Sequence, residues 1–100
     1  MARILQSIGL CRRAGKLFIG TETVLDAVRS GKAKIVILAG DTAEGTEKKI
    51  TALCAHRGVP VRKIPEGREA LSRAVGKTAP LAAVAAGEDF LQLITLSLEK

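Results

Sequence analysis

Residues Ile35-Val36-Ile37-Leu38-Ala39 form an unbroken apolar run, rich in side chains branched at Cβ. Such side chains are stiff at χ1 and sit well on a pleated surface. A strand that is apolar at every position offers neither face to water, which is the pattern of a strand in a sheet covered by helices on both sides. The run is the expected central strand of an α/β protein.

The flanking sequence supplies the covering helices. Ile4, Leu5, Ile8 and Cys11 recur at helical spacing, so residues 3–14 read as an amphipathic helix that Gly15 ends. A short apolar stretch over residues 16–19 closes at Gly20. Thr21 then offers an N-cap hydroxyl to a helix with Val24, Leu25 and Val28 on one face and Gly31 as its stop. After the central strand and a polar loop at residues 40–45, Thr46 is placed to cap a helix with Ile50, Leu53 and Cys54 inward. Residues 59–64 supply the next strand, making a right-handed crossover. Pro65 and Gly67 precede a helix over residues 68–75, Gly76 ends it, and residues 81–86 form a fourth strand. Glu88 and Asp89 open a last helix that aligns Phe90, Leu91, Ile94 and Leu98. With no repeat or linker, the expectation is one domain over residues 1–100, a three-layer α/β/α sandwich with a four-stranded mixed sheet and about five helices.

Hydrophobic residues make up 47% of the chain but aromatic ones only 2%, so the core is assembled from Leu, Ile, Val and Ala. The net charge is +6, and the first forty residues carry Arg3, Arg12, Arg13, Lys16, Arg29, Lys32 and Lys34 against only Glu22 and Asp26. Such an excess keeps a small protein soluble, and its clustering also attracts a polyanion, with nucleic acid the obvious candidate. Cys11 and Cys54 lack metal or redox spacing, which fits a reducing cytoplasm. Residues 1–10 contain Arg3 and Gln6 and no long apolar stretch, so neither a signal peptide nor a membrane anchor is expected there.

Several apparent catalytic motifs fail on geometry. Gly76-Lys77-Thr78 resembles the end of a P-loop, but the glycine required five positions earlier is Leu71, and a helix instead of a strand precedes it. Cys54 and His56 lie two residues apart on a helix and point about 200° apart, so they do not form a nucleophile–base pair. Two cysteines and one histidine give no metal-ligand spacing. Asp41 and Glu44 follow the central strand, where open sheets place ligands, yet they read better as acids that cap the helix of Thr46 or solvate a turn. No catalysis, cofactor or metal is expected.

The segment Arg12-Arg13-Ala14-Gly15-Lys16 leads to Gly20-Thr21-Glu22-Thr23 and so delivers basic charge toward a helix start. Free N–H groups in a first helical turn bind phosphate or base edges, and a glycine there lets a backbone approach. Taken alone, Gly20 and Thr21 read equally well as a plain turn and cap.

The spacing Arg12-x-x-Gly15-Lys16-x-x-x-Gly20-Thr21, followed by Gly31-x-Ala33-Lys34 and the apolar strand, resembles the kink-turn-binding ribosomal protein family of large-subunit 7Ae and 30e type. Asp41-Thr42, the Cys54 helix, Gly58-Val59-Pro60-Val61, the segment from Leu71 to Gly76-Lys77 and the Ala-rich last strand resemble its bacterial YlxQ-type branch, over essentially the whole chain. The resemblance implies an α/β/α sandwich that binds bent RNA internal loops. The helix after Gly20-Thr21 would enter the groove beside sheared G·A pairs, and the loop after Gly76 would touch an extruded base. It thereby nominates Arg13, Lys16, Gly20, Thr21, Glu22, Thr23, Asp26, Lys32, Gly76, Lys77, Thr78, Ala79 and Pro80 as RNA-binding residues. Typical members continue Gly-Thr with Asn-Glu and carry Lys a few positions later, where this chain has Glu22, Thr23 and Asp26. Glu22 accepts from base amino groups but cannot donate, and Asp26 opposes a phosphate or guanine N7. The more polar Lys77, Thr78 and Pro80 favour backbone contact. The expected role is non-catalytic binding of structured RNA by a cytoplasmic monomer, associated with a ribosome or other ribonucleoprotein and its proteins, with no membrane partner. The alternative is a protein-interaction or regulatory module on the same scaffold.

Overall fold

All four residues of the strand Ile35–Leu38 are buried, as a strand covered on both faces requires. In the computed structural model, which describes residues 3–99, helices and strands alternate. They are α1 (Arg3–Arg13), β1 (Leu17–Ile19), α2 (Thr21–Arg29), β2 (Ile35–Leu38), α3 (Glu44–Arg57), β3 (Val61–Lys63), α4 (Arg68–Ala74), β4 (Ala83–Ala86) and α5 (Glu88–Leu98). Residues 1 and 2, part of the N-terminal segment considered above, and residue 100 lie outside that description.

The sheet runs in the order β1-β4-β2-β3. β2 and β3 are parallel and are joined through α3, whereas β4 is antiparallel to both β1 and β2. Alternation along the strands sends side chains to two separate cores. Ile35, Ile37, Ala39, Val84 and Ala86 meet Ile4 and Ile8 of α1, Leu71 of α4 and Ile94 of α5. Val36, Leu38, Ala83 and Ala85 meet Val24 and Leu25 of α2 and Ile50 and Cys54 of α3. The sheet is therefore the middle of three layers. The fully buried Ile8, Leu25, Ile37, Ile50, Leu71 and Ile94 are the main anchors, each contributing about 2 kcal/mol of hydrophobic stabilisation.

The alanines of β4 have a packing reason. Ala85 pairs with Phe18 and Ala83 with Leu38, so small residues in an inner strand leave room for large ones from its neighbours on the α2–α3 side.

Two expected caps are corrected. Thr21 is the first residue of α2, and the N-cap is Gly20. Gly20 has φ +99°, a conformation that glycine adopts readily and threonine does not. Thr46 lies inside α3, which begins at Glu44 behind Ala43. The hydroxyl in that loop belongs instead to buried Thr42, which donates to the carbonyls of Ala39 (2.8 Å) and Ala82 (3.2 Å). This ties the end of β2 to the residue preceding β4.

Candidate nucleic-acid interface

Strand register determines which loops meet. Ile19 pairs with Val84, the Gly20 N–H donates to the carbonyl of Ala83 at 3.1 Å, and the Ala39 N–H donates to Ala82 at 2.9 Å. The start of α2, the end of β2 and the loop running into β4 therefore share one end of the sheet. At the opposite end Leu17 pairs with Ala86, and the Lys34 N–H donates to Ala86 at 2.8 Å.

This arrangement divides the residues nominated from sequence. Gly20 caps α2, Thr21, Glu22 and Thr23 form its first turn, and Asp26 follows one turn on. Residues 76–80 form an exposed loop that ends beside them, because Pro80 lies just upstream of the Ala82–Ala83 contacts. Lys16 and Lys32 lie elsewhere. Lys16 precedes β1, about 13 Å from Gly20 at the rise of a strand. Lys32 follows the far end of the nine-residue α2, again about 13 Å away. The basic segment over residues 12–16 thus enters β1 at the end opposite the start of α2, and charge and helix dipole do not coincide there as the sequence suggested. Lys16 Nζ instead lies 3.4 Å from Asp89 Oδ2, at the start of α5. Arg13 is exposed in the last turn of α1 and faces a cavity shared with Gly76.

At the start of α2, a Cβ added to Gly20 would meet nothing within 4 Å. The N-cap has no side chain, so the amides of the first turn have no side-chain cap and an incoming acceptor meets backbone alone. Glu22 Oε2 lies 3.6 Å from Lys49 Nζ of α3, and Asp26 Oδ1 lies 3.1 Å from Arg29. Both acids that would oppose a polyanion are thus partnered by a cation. Lys49 is the basic group at this site that the sequence reading missed. It lies 27 positions after Glu22, and no local pattern brings the two together; the packing of α2 on α3 does. Lys77 in the neighbouring loop is exposed and has no carboxylate within 4 Å among the described residues.

The motifs set aside on sequence occupy unreactive settings. The N–H groups of Gly76 and Lys77 donate to Arg73 and Ser72, so they close the end of α4 and do not cradle a phosphate. Cys54 is buried while His56 is exposed. Burial pushes both thiols up, Cys11 to about 11, so they stay protonated and poorly nucleophilic at neutral pH. Asp41 caps a helix, but that helix is α4 and not α3: its Oδ1 accepts the Arg68 N–H at 2.8 Å.

A sheet between two helical layers, with an open glycine-capped helix start beside an exposed loop, defines a class of small α/β/α domains that present backbone donors at one end of the sheet. Within that class the chain belongs to the ribosomal protein L7Ae/L30e/S12e/Gadd45 family, whose model matches residues 2–91. It is 36% identical over 90 residues to the RNA-binding protein YlxQ of Bacillus subtilis, covering 89% of each chain. A solved structure of a protein of unknown function from Bacillus halodurans matches over the full length of both chains, with TM-score 0.90 and 30% identity. The Giardia lamblia 15.5kD RNA binding protein has the same fold, with TM-score 0.81 and 24% identity over 97% of this chain and 82% of that one.

Proposed function

We propose that this protein is a non-catalytic binder of structured RNA, acting as one domain at an internal loop of kink-turn or related type within a ribosome or other ribonucleoprotein. The observation that carries this reading is the open space at Gly20, at the N-cap of α2, in a chain whose relative YlxQ is an RNA-binding protein. A phosphate or base edge can reach the first-turn amides, with the Thr21 and Thr23 hydroxyls as further donors and the Glu22 carboxylate accepting from a base amino group. Residues 76–80 contact the flanking nucleotide. Lys49 supplies the cation that the first turn of α2 lacks, releasing Glu22 to the base as it turns to a phosphate.

Fluorescence anisotropy with a kink-turn RNA, ribosomal RNA fragments and a plain duplex tests this. Tighter binding to one of the looped RNAs than to duplex is expected, and equal weak binding to all of them at low salt overturns it. The Lys49→Glu variant should bind about tenfold more weakly and lower the salt slope by about 1. Its folding stability should change by under about 1 kcal/mol, because the Glu22–Lys49 pair is exposed.

A further inference from the structure

Helices α1 and α4 approach closely at Gly9, where an added Cβ would lie 3.2 Å from the Ala74 carbonyl oxygen. Beyond that contact α4 stops and the chain turns away at Gly76, while α1 continues to Arg13. This mismatch leaves a cavity of about 670 Å³ between the two helix ends. Leu10, one of two large apolar side chains exposed among the described residues, lines it. So do Arg12, Arg13 and Arg73, and no carboxylate does. None of these three arginines has a carboxylate within 4 Å among the described residues.

A cation in the last turn of a helix complements the helix dipole, which accounts for each arginine singly. It does not account for three guanidiniums from two helices around one apolar floor. Guanidinium is the side chain best matched to both parts of a nucleotide, pairing with phosphate in a forked geometry and stacking flat on a base. The exposed leucine offers a second apolar surface for a base. The cavity is also continuous with the proposed site, because Gly76 both lines it and begins the loop that ends beside Gly20.

We propose that the groove between the C-terminal ends of α1 and α4 holds a single-stranded RNA segment continuing from the loop at residues 76–80, with Arg12, Arg13 and Arg73 on phosphates and bases and Leu10 beneath a base. The inference rests on the RNA-binding reading above for its ligand, and it adds a second contact region that the start of α2 does not provide.

The test compares the full chain with an Arg12→Ala/Arg73→Ala double variant. The probes are an internal-loop RNA without a tail, the same RNA with a short uridine tail, and an oligouridylate alone. In the unaltered protein the tail should tighten binding about tenfold, the effect of one or two charge-assisted contacts. The double variant should lose that gain, its salt slope on tailed RNA should fall by about 1.4, and its affinity for untailed RNA should stay unchanged. Because the chain has no tryptophan, Leu10→Trp gives an independent reporter whose fluorescence oligouridylate should quench. A tail without effect, a tail effect that survives in the double variant, or an unquenched Trp at position 10 overturns the proposal. Binding of an acidic amphipathic peptide that the arginine substitutions abolish, with no tail effect, also overturns it and assigns the groove to a protein partner. Failure of the RNA-binding reading has a different signature, equal weak binding of untailed internal-loop RNA and duplex, and quenching by oligouridylate remains readable in that case.

Discussion

The Asp41 carboxylate accepts the backbone N–H of Arg68 at 2.8 Å, and the same oxygen lies 3.4 Å from Arg68 Nε. An acid in the turn after β2 therefore caps the first residue of α4, whose own N-cap, Gly67, has no side chain to offer. The contact fastens the loop after β2 to the start of α4, beside the carbonyl of Arg68 that receives the Leu81 N–H. Asp41→Ala should cost about 1 kcal/mol, the usual value of a lost cap, and lower the melting temperature by about 5 °C. Asp41→Asn retains an acceptor and should lose less, as thermal melts of the three proteins would show.

Gly20 lies at φ +99° with free space around it. An alanine there meets no neighbour, yet it must adopt a backbone conformation that side chains with a Cβ rarely occupy. Gly20→Ala should therefore destabilise the fold by about 1–2 kcal/mol through backbone strain alone. It should also weaken RNA binding, because the new methyl stands where the ligand approaches. Urea titration and anisotropy on the same sample separate the two effects.

The hydroxyls of Ser7 and Ser97 meet in the buried contact between α1 and α5. Ser97 donates its single proton to the Leu93 carbonyl at 2.9 Å, so Ser7 is the donor to Ser97. The two alanine substitutions are then unequal. Ser97→Ala strands a buried Ser7 hydroxyl and should cost about 2 kcal/mol, whereas Ser7→Ala leaves Ser97 satisfied and should cost about half as much. Chemical denaturation of the two single variants and the double variant tests the order.

Burial raises the Cys11 thiol from 9.0 to about 11. The unfolded chain releases this proton near pH 9, while the folded chain holds it until about pH 11. Between those values the native state binds the extra proton, so stability falls as pH rises; below pH 9 both states hold it and the contribution is flat. Denaturation midpoints measured from pH 8 to 11 should therefore decline more steeply for the unaltered protein than for Cys11→Ala. The comparison is of slopes, since the cavity left by alanine lowers stability at every pH.

Much of the fold was legible because local patterns report burial directly. The unbroken run at Ile35 to Ala39, the α1 face of Ile4, Leu5, Ile8 and Cys11, and the α5 face of Phe90, Leu91, Ile94 and Leu98 all pack as their spacing indicates. Cap positions were less legible, since a threonine near a helix start is equally compatible with standing one residue inside it. Thr21 and Thr46 both stand inside, and the chain turns into α2 and α3 at Gly20 and Ala43 instead.

The sequence by itself determined which face of each element avoids water, and that the elements alternate, because hydrophobic period and glycine placement are properties of neighbouring residues. Only the tertiary structure decided that β1 pairs with β4, which sets Lys16 and Gly20 at opposite ends of the sheet. It also decided that Lys49 stands beside Glu22, and that α1 and α4 meet at Gly9 and part beyond it, gathering three arginines around one groove. These are pairings between distant segments. Burial patterns state that a face must be covered and leave open what covers it; strand register and helix packing settle that only when the whole chain is assembled.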